Sequence, residues 1–327
     1  MGGGASKKTQ DDSRSQISKV QTSEIHIGDA PYENEAKRVE MFPELHPNIK
    51  KILPLLEPFQ KLLISSVPNY TASGKESLGP FHYEKDHIGN RAGTYEGQYL
   101  LGQREGLGKM AWEDGRYYEG AWSKDFPDVY GRLMLPTGDY YEGEVKMGKA
   151  TGKGIYKGVD GNEYVGEWMN NLQNGKGKES WADGTKFEGE YRDSKKSGKG
   201  VFVWPDGAKY EGGFEEDLIE GTGTFNWPDK KVYEGQWLQG KMNGPGLLTW
   251  PTKASYRGEF KNGVEQGLGT FTWPDGRRYE GPFEKGKQRG KGEYFDLDKR
   301  KYTGIWDDHT VVWEGEEPPT KKLAIKS

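Results

Sequence analysis

"FTWPDGRRYEGPFEKGKQRGKGEYF", residues 271–295, is dense in glycine and aromatic rings and contains no cysteine, no histidine and no obvious nucleophile. Its pattern recurs along the chain. Aligned on the tyrosine of "YEG", the register residues are Tyr95, Tyr118, Tyr141, Tyr164, Phe187, Tyr210, Tyr233, Tyr256, Tyr279 and Tyr302, and every interval is 23 residues. A period held through ten copies without insertion means that each unit docks on its neighbour in the same way.

Let the register tyrosine be position zero. Glycine follows at position two in all ten copies, and position four holds Tyr99, Trp122, Val145, Trp168, Tyr191, Phe214, Trp237, Phe260, Phe283 or Trp306. A period of two is a strand. The second half alternates in the same way, G-x-G-x-apolar-x-Trp, as in "GLGKMAW" (106–112), "GKGVFVW" (198–204), "GTGTFNW" (221–227) and "GLGTFTW" (267–273). "DG" follows at Asp114, Asp183, Asp206 and Asp275, which reads as a tight hairpin turn with positive φ angles. Looser links such as "LGQRE" (101–105) close the other end.

The unit is therefore a β-hairpin, and the array an all-β repeat: an elongated, single-layer antiparallel β-meander of about twenty short strands. At ~4.8 Å per strand it would extend roughly 95 Å. Positions zero, two, four, eleven, thirteen, fifteen and seventeen share strand parity, so rings and glycines face one side. Rings can lie over the bare backbone of a neighbouring strand. Trp112, Trp181, Phe202, Trp204, Trp227, Trp250, Phe271 and Trp273 extend this face on the second strands. A row of part-exposed rings is also the surface type that makes binding hot spots, so the aromatic face is a candidate groove for a partner. The opposite parity is polar: Glu96, Glu119, Glu142, Glu188, Glu211, Glu234 and Glu280 follow the register residue, and Lys153, Lys176, Lys199 and Lys291 on the second strands are candidates for cross-strand charge pairs.

This pattern resembles the MORN repeat (membrane occupation and recognition nexus), Y-x-G-x-W, then G-x-G-x-apolar-x-W/Y, then D/N-G. The resemblance covers residues 95 to about 315. Departures are Val129 for a second-strand glycine in copy two, Gly158 for Trp in copy three, and Lys230, Lys253 and Lys299 for the turn glycine in copies six, seven and nine. Copy ten keeps "YTGIW" but has Trp313 where glycine is expected, and reads as a terminal half-unit over residues up to 315.

Outside the array, "MGGGASKK" fits the N-myristoylation pattern, with Gly2 as acceptor, Ser6 in place, and Lys7 and Lys8 as membrane-proximal basic neighbours. One acyl chain gives marginal, reversible attachment, and the absence of cysteine excludes palmitate. Residues 1–43 read as a flexible arm. Over 44–76, Leu45, Ile49, Ile52, Leu56, Phe59 and Leu63 form a helical stripe interrupted by Pro54 and Pro58, expected either to cap the first hairpins or to dock on another protein. The array is placed at 77–315, with an incomplete hairpin before Tyr95, and a tail at 316–327.

The parts for chemistry are missing. Zero cysteines among 327 residues exclude thiolate metal sites and fit a reducing compartment. The five histidines are His26, His46, His82, His87 and His309, none within copies one to nine, so no metal site or cofactor is expected. The G-x-G pairs open no helix and are not phosphate cradles. A net charge of -4 gives no footprint for nucleic acid. No run of ~18 apolar residues exists to span a membrane. Some relatives fuse such repeats to a lipid kinase or methyltransferase domain, and the 94 residues before the array are too few for one. The expectation is a non-enzymatic scaffold with no small-molecule substrate, in the cytoplasm at a membrane face or in a ciliary or flagellar axoneme. Its partners would be cytoskeletal, axonemal or membrane-associated proteins. The resemblance implies two roles, a membrane-to-cytoskeleton adaptor or a radial-spoke-like component, and a third, phospholipid binding by the repeats, which the glutamates at position one oppose.

Overall fold

A computed structural model describes residues 92–308 and 310–318 and, before them, the strands Lys37–Arg38 and Glu76–Tyr83. Apart from the strand Lys37–Arg38, the arm lies outside the described residues, as do the lipidation site Gly2, the basic pair Lys7 and Lys8, the helical stripe and the tail beyond residue 318. Two compact units are present, one ending at Lys195 and one beginning at Lys196. In each, every strand is antiparallel to its sequence neighbours, and no helix occurs among the described residues. The N-terminal unit opens with Glu76–Tyr83, which pairs with Gly93–Leu100 on one side and with Lys37–Arg38 on the other. The C-terminal unit closes on Thr310–Trp313, paired with Lys301–Asp307.

One copy explains the others. In copy seven, Val232–Leu238 pairs with Lys241–Thr249: Gly235 faces Gly246, but Trp237 faces Met242, so the second strand carries two extra residues. This bulge contains Gly244 at φ 81. The extra residues leave the Gln236 carbonyl without a ladder partner, and the Tyr233 hydroxyl donates to it at 2.9 Å. The same bond runs from Tyr95, Tyr118, Tyr141, Tyr164, Tyr210, Tyr256 and Tyr279 to the carbonyl three residues on. The tyrosine is therefore the partner that a bulged ladder requires.

The facing glycines are where that ring lies. A Cβ at Gly246 would stand 2.5 Å from Cε2 of Tyr233, and one at Gly269 2.5 Å from Cε2 of Tyr256. Register tyrosines are 0–1 % exposed through Tyr279, and the rings at position four at most 6 %. The two sets interlock edge to face. Tyr210 meets Phe214 at 5.3 Å and Trp237 at 5.5 Å, and Tyr233 meets Trp237 at 5.1 Å and Phe260 at 5.0 Å between centroids. Such pairs stabilise by about 0.5–1.5 kcal/mol beyond their burial. The indole N–H groups of Trp122, Trp168 and Trp237 donate to the carbonyls of Gly108, Gly154 and Gly223.

The turns correct the expectation from sequence. The two-residue hairpin lies inside the repeat, at the link read as loose: Gln239-Gly240 has φ 49 and 75, Asn262-Gly263 φ 52 and 85, and Lys124-Asp125 φ 48 and 71. These are the paired positive angles that match strand twist. Asp, Asn and Ser replace the second glycine where their side chains bond back to the preceding copy: Asp125, Asn171, Ser194 and Asp217 accept the N–H groups of Arg104, Ala150, Gln173 and Lys196. At "DG" only the glycine takes positive φ, as at Gly115 (φ 87). There, Trp112 and Arg116 close a three-residue loop while Asp114 accepts the Arg116 N–H at 3.1 Å.

Candidate functional site

The aromatic residues singled out from sequence divide into two sets. Tyr95, Tyr99, Tyr118, Trp122, Tyr141, Tyr164, Trp168, Phe187, Tyr191, Tyr210, Phe214, Tyr233, Trp237, Tyr256, Phe260, Tyr279, Phe283, Tyr302 and Trp306 are buried, and so are Trp112, Phe202 and Phe271. Their faces are covered by one another, so they are core and not an open groove. Trp181, Trp204, Trp227, Trp250 and Trp273 are half-buried along the "DG" margin, where Trp204 leans on Phe202 at 4.5 Å and Trp227 on Phe225 at 4.4 Å.

The concavity lies on the other face. In the C-terminal unit a groove of about 1300 Å³ runs across six strands from Lys199 to Glu259. Its floor is main chain, the unbroken glycine row Gly200, Gly212, Gly223, Gly235, Gly246 and Gly258, each facing the next. Tyr210 and Tyr233 pack on the far side of those same glycines. The Cα hydrogens of this row that stand in for side chains point to the tyrosine side, so on the groove side the trough reaches the backbone between two rows of outward side chains. One wall is the row of directly opposed residues Val201, Glu211, Thr224, Glu234, Leu247 and Arg257. The other carries Lys199, Thr222, Gln236, Pro245 and Glu259.

The corresponding wall in the N-terminal unit is neutralised strand by strand. Lys109 pairs with Glu119 at 3.8 Å, Arg132 with Glu142 at 2.9 Å and Lys178 with Glu188 at 3.0 Å. The expected cations Lys153 and Lys176 do not serve here. The register sets Lys153 against Glu167 and Lys176 against Glu190, while the residue two further along the strand faces the glutamate at position one. The row is broken at Ile155 opposite Val165, which form the apolar floor of a smaller pocket of about 370 Å³ between Tyr130, Glu144 and Lys153. In the C-terminal unit the positions opposite Glu211 and Glu234 hold Val201, Thr224 and Leu247 instead of cations. Glu211 is held by Lys209 at 2.9 Å. Among the described residues no ion pair or side-chain hydrogen bond reaches Glu234, Arg257 or Lys199. Exposed carboxylates and cations left in this way are available to a ligand's charges. Sequence reasoning missed this wall because the register between one copy and the next, which sets which cation faces which glutamate, is not given by the alternation.

Titration follows burial. The phenol of Tyr233 is pushed up to about 12 by burial, and that of Tyr130 to about 12 by burial and then by the Glu142 carboxylate. Tyr141, Tyr164, Tyr210, Tyr256 and Tyr279 are raised by burial as well. These hydroxyls are protonated donors, not bases. No cluster of His, Cys, Asp or Glu able to hold a metal ion occurs among the described residues.

Fold and groove together define an open β-repeat with an inner trough. A family model for the MORN repeat matches residues 95–115, 118–140, 141–163, 164–186, 187–209, 210–232, 233–255 and 256–277, more than half of the chain, and the chain belongs to that family. No curated protein sequence matches it. Among solved structures, the TCP domain of Drosophila melanogaster SAS-4 (dCPAP), in complex with a proline-rich motif of Ana2 (dSTIL), shares 13 % identity over 46 % of this chain and 81 % of that one, with a TM-score of 0.30. The TCP10 domain of Danio rerio CPAP shares 14 % over 68 % and 93 %, with a TM-score of 0.22. Likenesses of this size bear on neither fold nor function.

Proposed function

We propose that this MORN-repeat protein is a non-enzymatic scaffold whose inner groove, from Lys199 to Glu259, docks a protein partner, and whose N-terminus tethers it reversibly to a membrane through Gly2 with help from Lys7 and Lys8. The observation that carries the docking surface is the unpaired Glu234 and Arg257 beside a bare glycine floor. The half-buried Trp204, Trp227, Trp250 and Trp273 form a secondary margin for the same role. Both partners and residence are cytoplasmic in this reading, at a membrane face. An axonemal residence, as in a radial-spoke head, is the second reading, favoured by the regular array. Phospholipid binding by the repeats themselves is disfavoured by Glu211, Glu234 and Glu259 on the concave side.

The test uses full-length protein in its native cells. Charge reversal at E234K with R257E, both in exposed positions, should remove the specific partners captured with wild type while leaving the fold intact by circular dichroism. Metabolic myristate labelling with a G2A control tests the tether, and detergent extraction followed by salt separates the two residences. An unchanged partner set on the double reversal overturns the groove. Strong, salt-sensitive binding of unacylated protein to anionic vesicles would revive the lipid reading.

A further inference from the structure

The groove has a pitch, and the pitch selects a ligand conformation. Neighbouring strands are ~4.8 Å apart, so the wall row Val201, Glu211, Thr224, Glu234, Leu247 advances in steps of that size and spans about 19 Å from Val201 to Leu247. The opposing walls stand two residues apart along each strand, about 6.7 Å between Cα atoms. A helix turns once every ~5.4 Å, so over the four steps from Val201 to Leu247 it drifts about 2 Å out of step with the wall. A β-conformation repeats its side chains about every 6.7 Å and falls out of step with the wall. Polyproline II repeats every three residues and ~9.3 Å, two strand spacings, and its side chains i, i+3 and i+6 share one edge over about 19 Å.

We propose that the groove binds an extended polyproline II segment of the form apolar-x-x-basic-x-x-apolar. This rests on the docking reading above and specifies its partner. The two apolar side chains at i and i+6 meet Val201 and Leu247. The residue at i+3 then falls opposite Thr224, about 5 Å along the wall from both Glu211 and Glu234. A Lys or Arg there finds two carboxylates, one unengaged and one held only by an exposed pair with Lys209, a contact of little net strength. Lys199 lies beside Val201 on the same strand, and Arg257 one strand beyond Leu247. Along the trough stand Lys199 at one end, then Glu211 and Glu234, and at the other end Arg257 with Glu259 across from it on the second wall. This order favours a positive charge at the centre of the ligand over one at the Lys199 end, which fixes the register. Polyproline II has no internal hydrogen bonds, so its carbonyls and remaining N–H groups are free to meet the polar side chains of Thr222 and Gln236 on the second wall.

The experiment titrates full-length protein into fluorescein-labelled heptapeptides and reads anisotropy. Leu-Pro-Pro-Arg-Pro-Pro-Leu should bind, with affinity falling as salt rises. The same peptide with Glu at its centre, and the rearranged Arg-Pro-Pro-Leu-Pro-Pro-Arg, should each bind at least about tenfold more weakly. E234K should reverse the order of the Arg- and Glu-centred peptides while keeping the wild-type circular dichroism spectrum. Equal binding of the two, no binding of any, or equal competition by an alanine-rich helical peptide carrying the same Leu and Arg side chains overturns the proposal. Should E234K with R257E remove native partners while no heptapeptide binds, the docking reading stands and the polyproline assignment alone fails.

Discussion

Val129 sits directly opposite Val145, and both depart from the repeat: the first stands where other copies have the bulge glycine, the second where they have a ring. Val129 holds φ 66, a left-handed angle that a β-branched residue resists at a cost of roughly 1–2 kcal/mol. Its side chain is 42 % exposed and contributes little packing in return. V129G should therefore stabilise the N-terminal unit by about 1 kcal/mol after the extra freedom of glycine in the unfolded chain is allowed for. A denaturant midpoint that falls instead would show that the copy has adapted its backbone to valine.

A second test lies inside. Gln173 is 1 % exposed with Nε2 unpartnered, whereas the same repeat position in copy six is Ile219, 5 % exposed. A buried amide without a partner costs about 1–3 kcal/mol. Q173I should raise the thermal midpoint, and Q173E should lower it by more, since a charge would replace a dipole in the same place.

The socket itself is tested by two substitutions in copy seven. Y233F removes only the bond to the Gln236 carbonyl, and Phe187 already stands at that position in copy five, buried at 1 %. Its cost should be about 1 kcal/mol. G246A drives a methyl into Tyr233 at 2.5 Å, on the ring side of the sheet. Overpacking of this kind costs about 1–3 kcal/mol or more. Chemical denaturation of the two variants side by side should rank G246A as the more damaging. The reverse order would mean that the hydroxyl, not the bare glycine, sets the repeat.

Much of this geometry is legible in the sequence, and the reason is parity. The interval from Tyr95 to Tyr302 gives the hairpin, and the shared parity of Tyr233, Gly235 and Gly246 gives the ring-on-glycine contact. What parity cannot carry is the two-residue insertion between Met242 and Gly246. That insertion goes with the tight turn at Gln239-Gly240, while the unbroken register across the "DG" turn sets Lys178 and not Lys176 against Glu188. The rings are enclosed, and the accessible concavity falls on the face whose residues look like ordinary solvated surface.

The last expectation concerns alkali. Below pH ~10 the phenols are protonated in both folded and unfolded chain, so the stability that depends on them is fully present. Because burial raises Tyr233 to about 12 and also raises Tyr141, Tyr164, Tyr210, Tyr256 and Tyr279, the unfolded chain releases protons first as pH climbs through ~10. The stability is lost from there upward, by about 1.4 kcal/mol per pH unit for each phenol still held protonated by the fold. Six such groups in series make the loss steep. Urea midpoints should be level from about pH 7 to 9 and then collapse between about 10 and 12. Phenolate absorbance of the buried set should rise together with the loss of β-sheet circular dichroism, well above the titration of free tyrosine. Phenolate appearing at ~10 with the sheet intact would mean that water reaches these hydroxyls, and that the carbonyls of Gln236 and its counterparts are satisfied by solvent instead of by the rings.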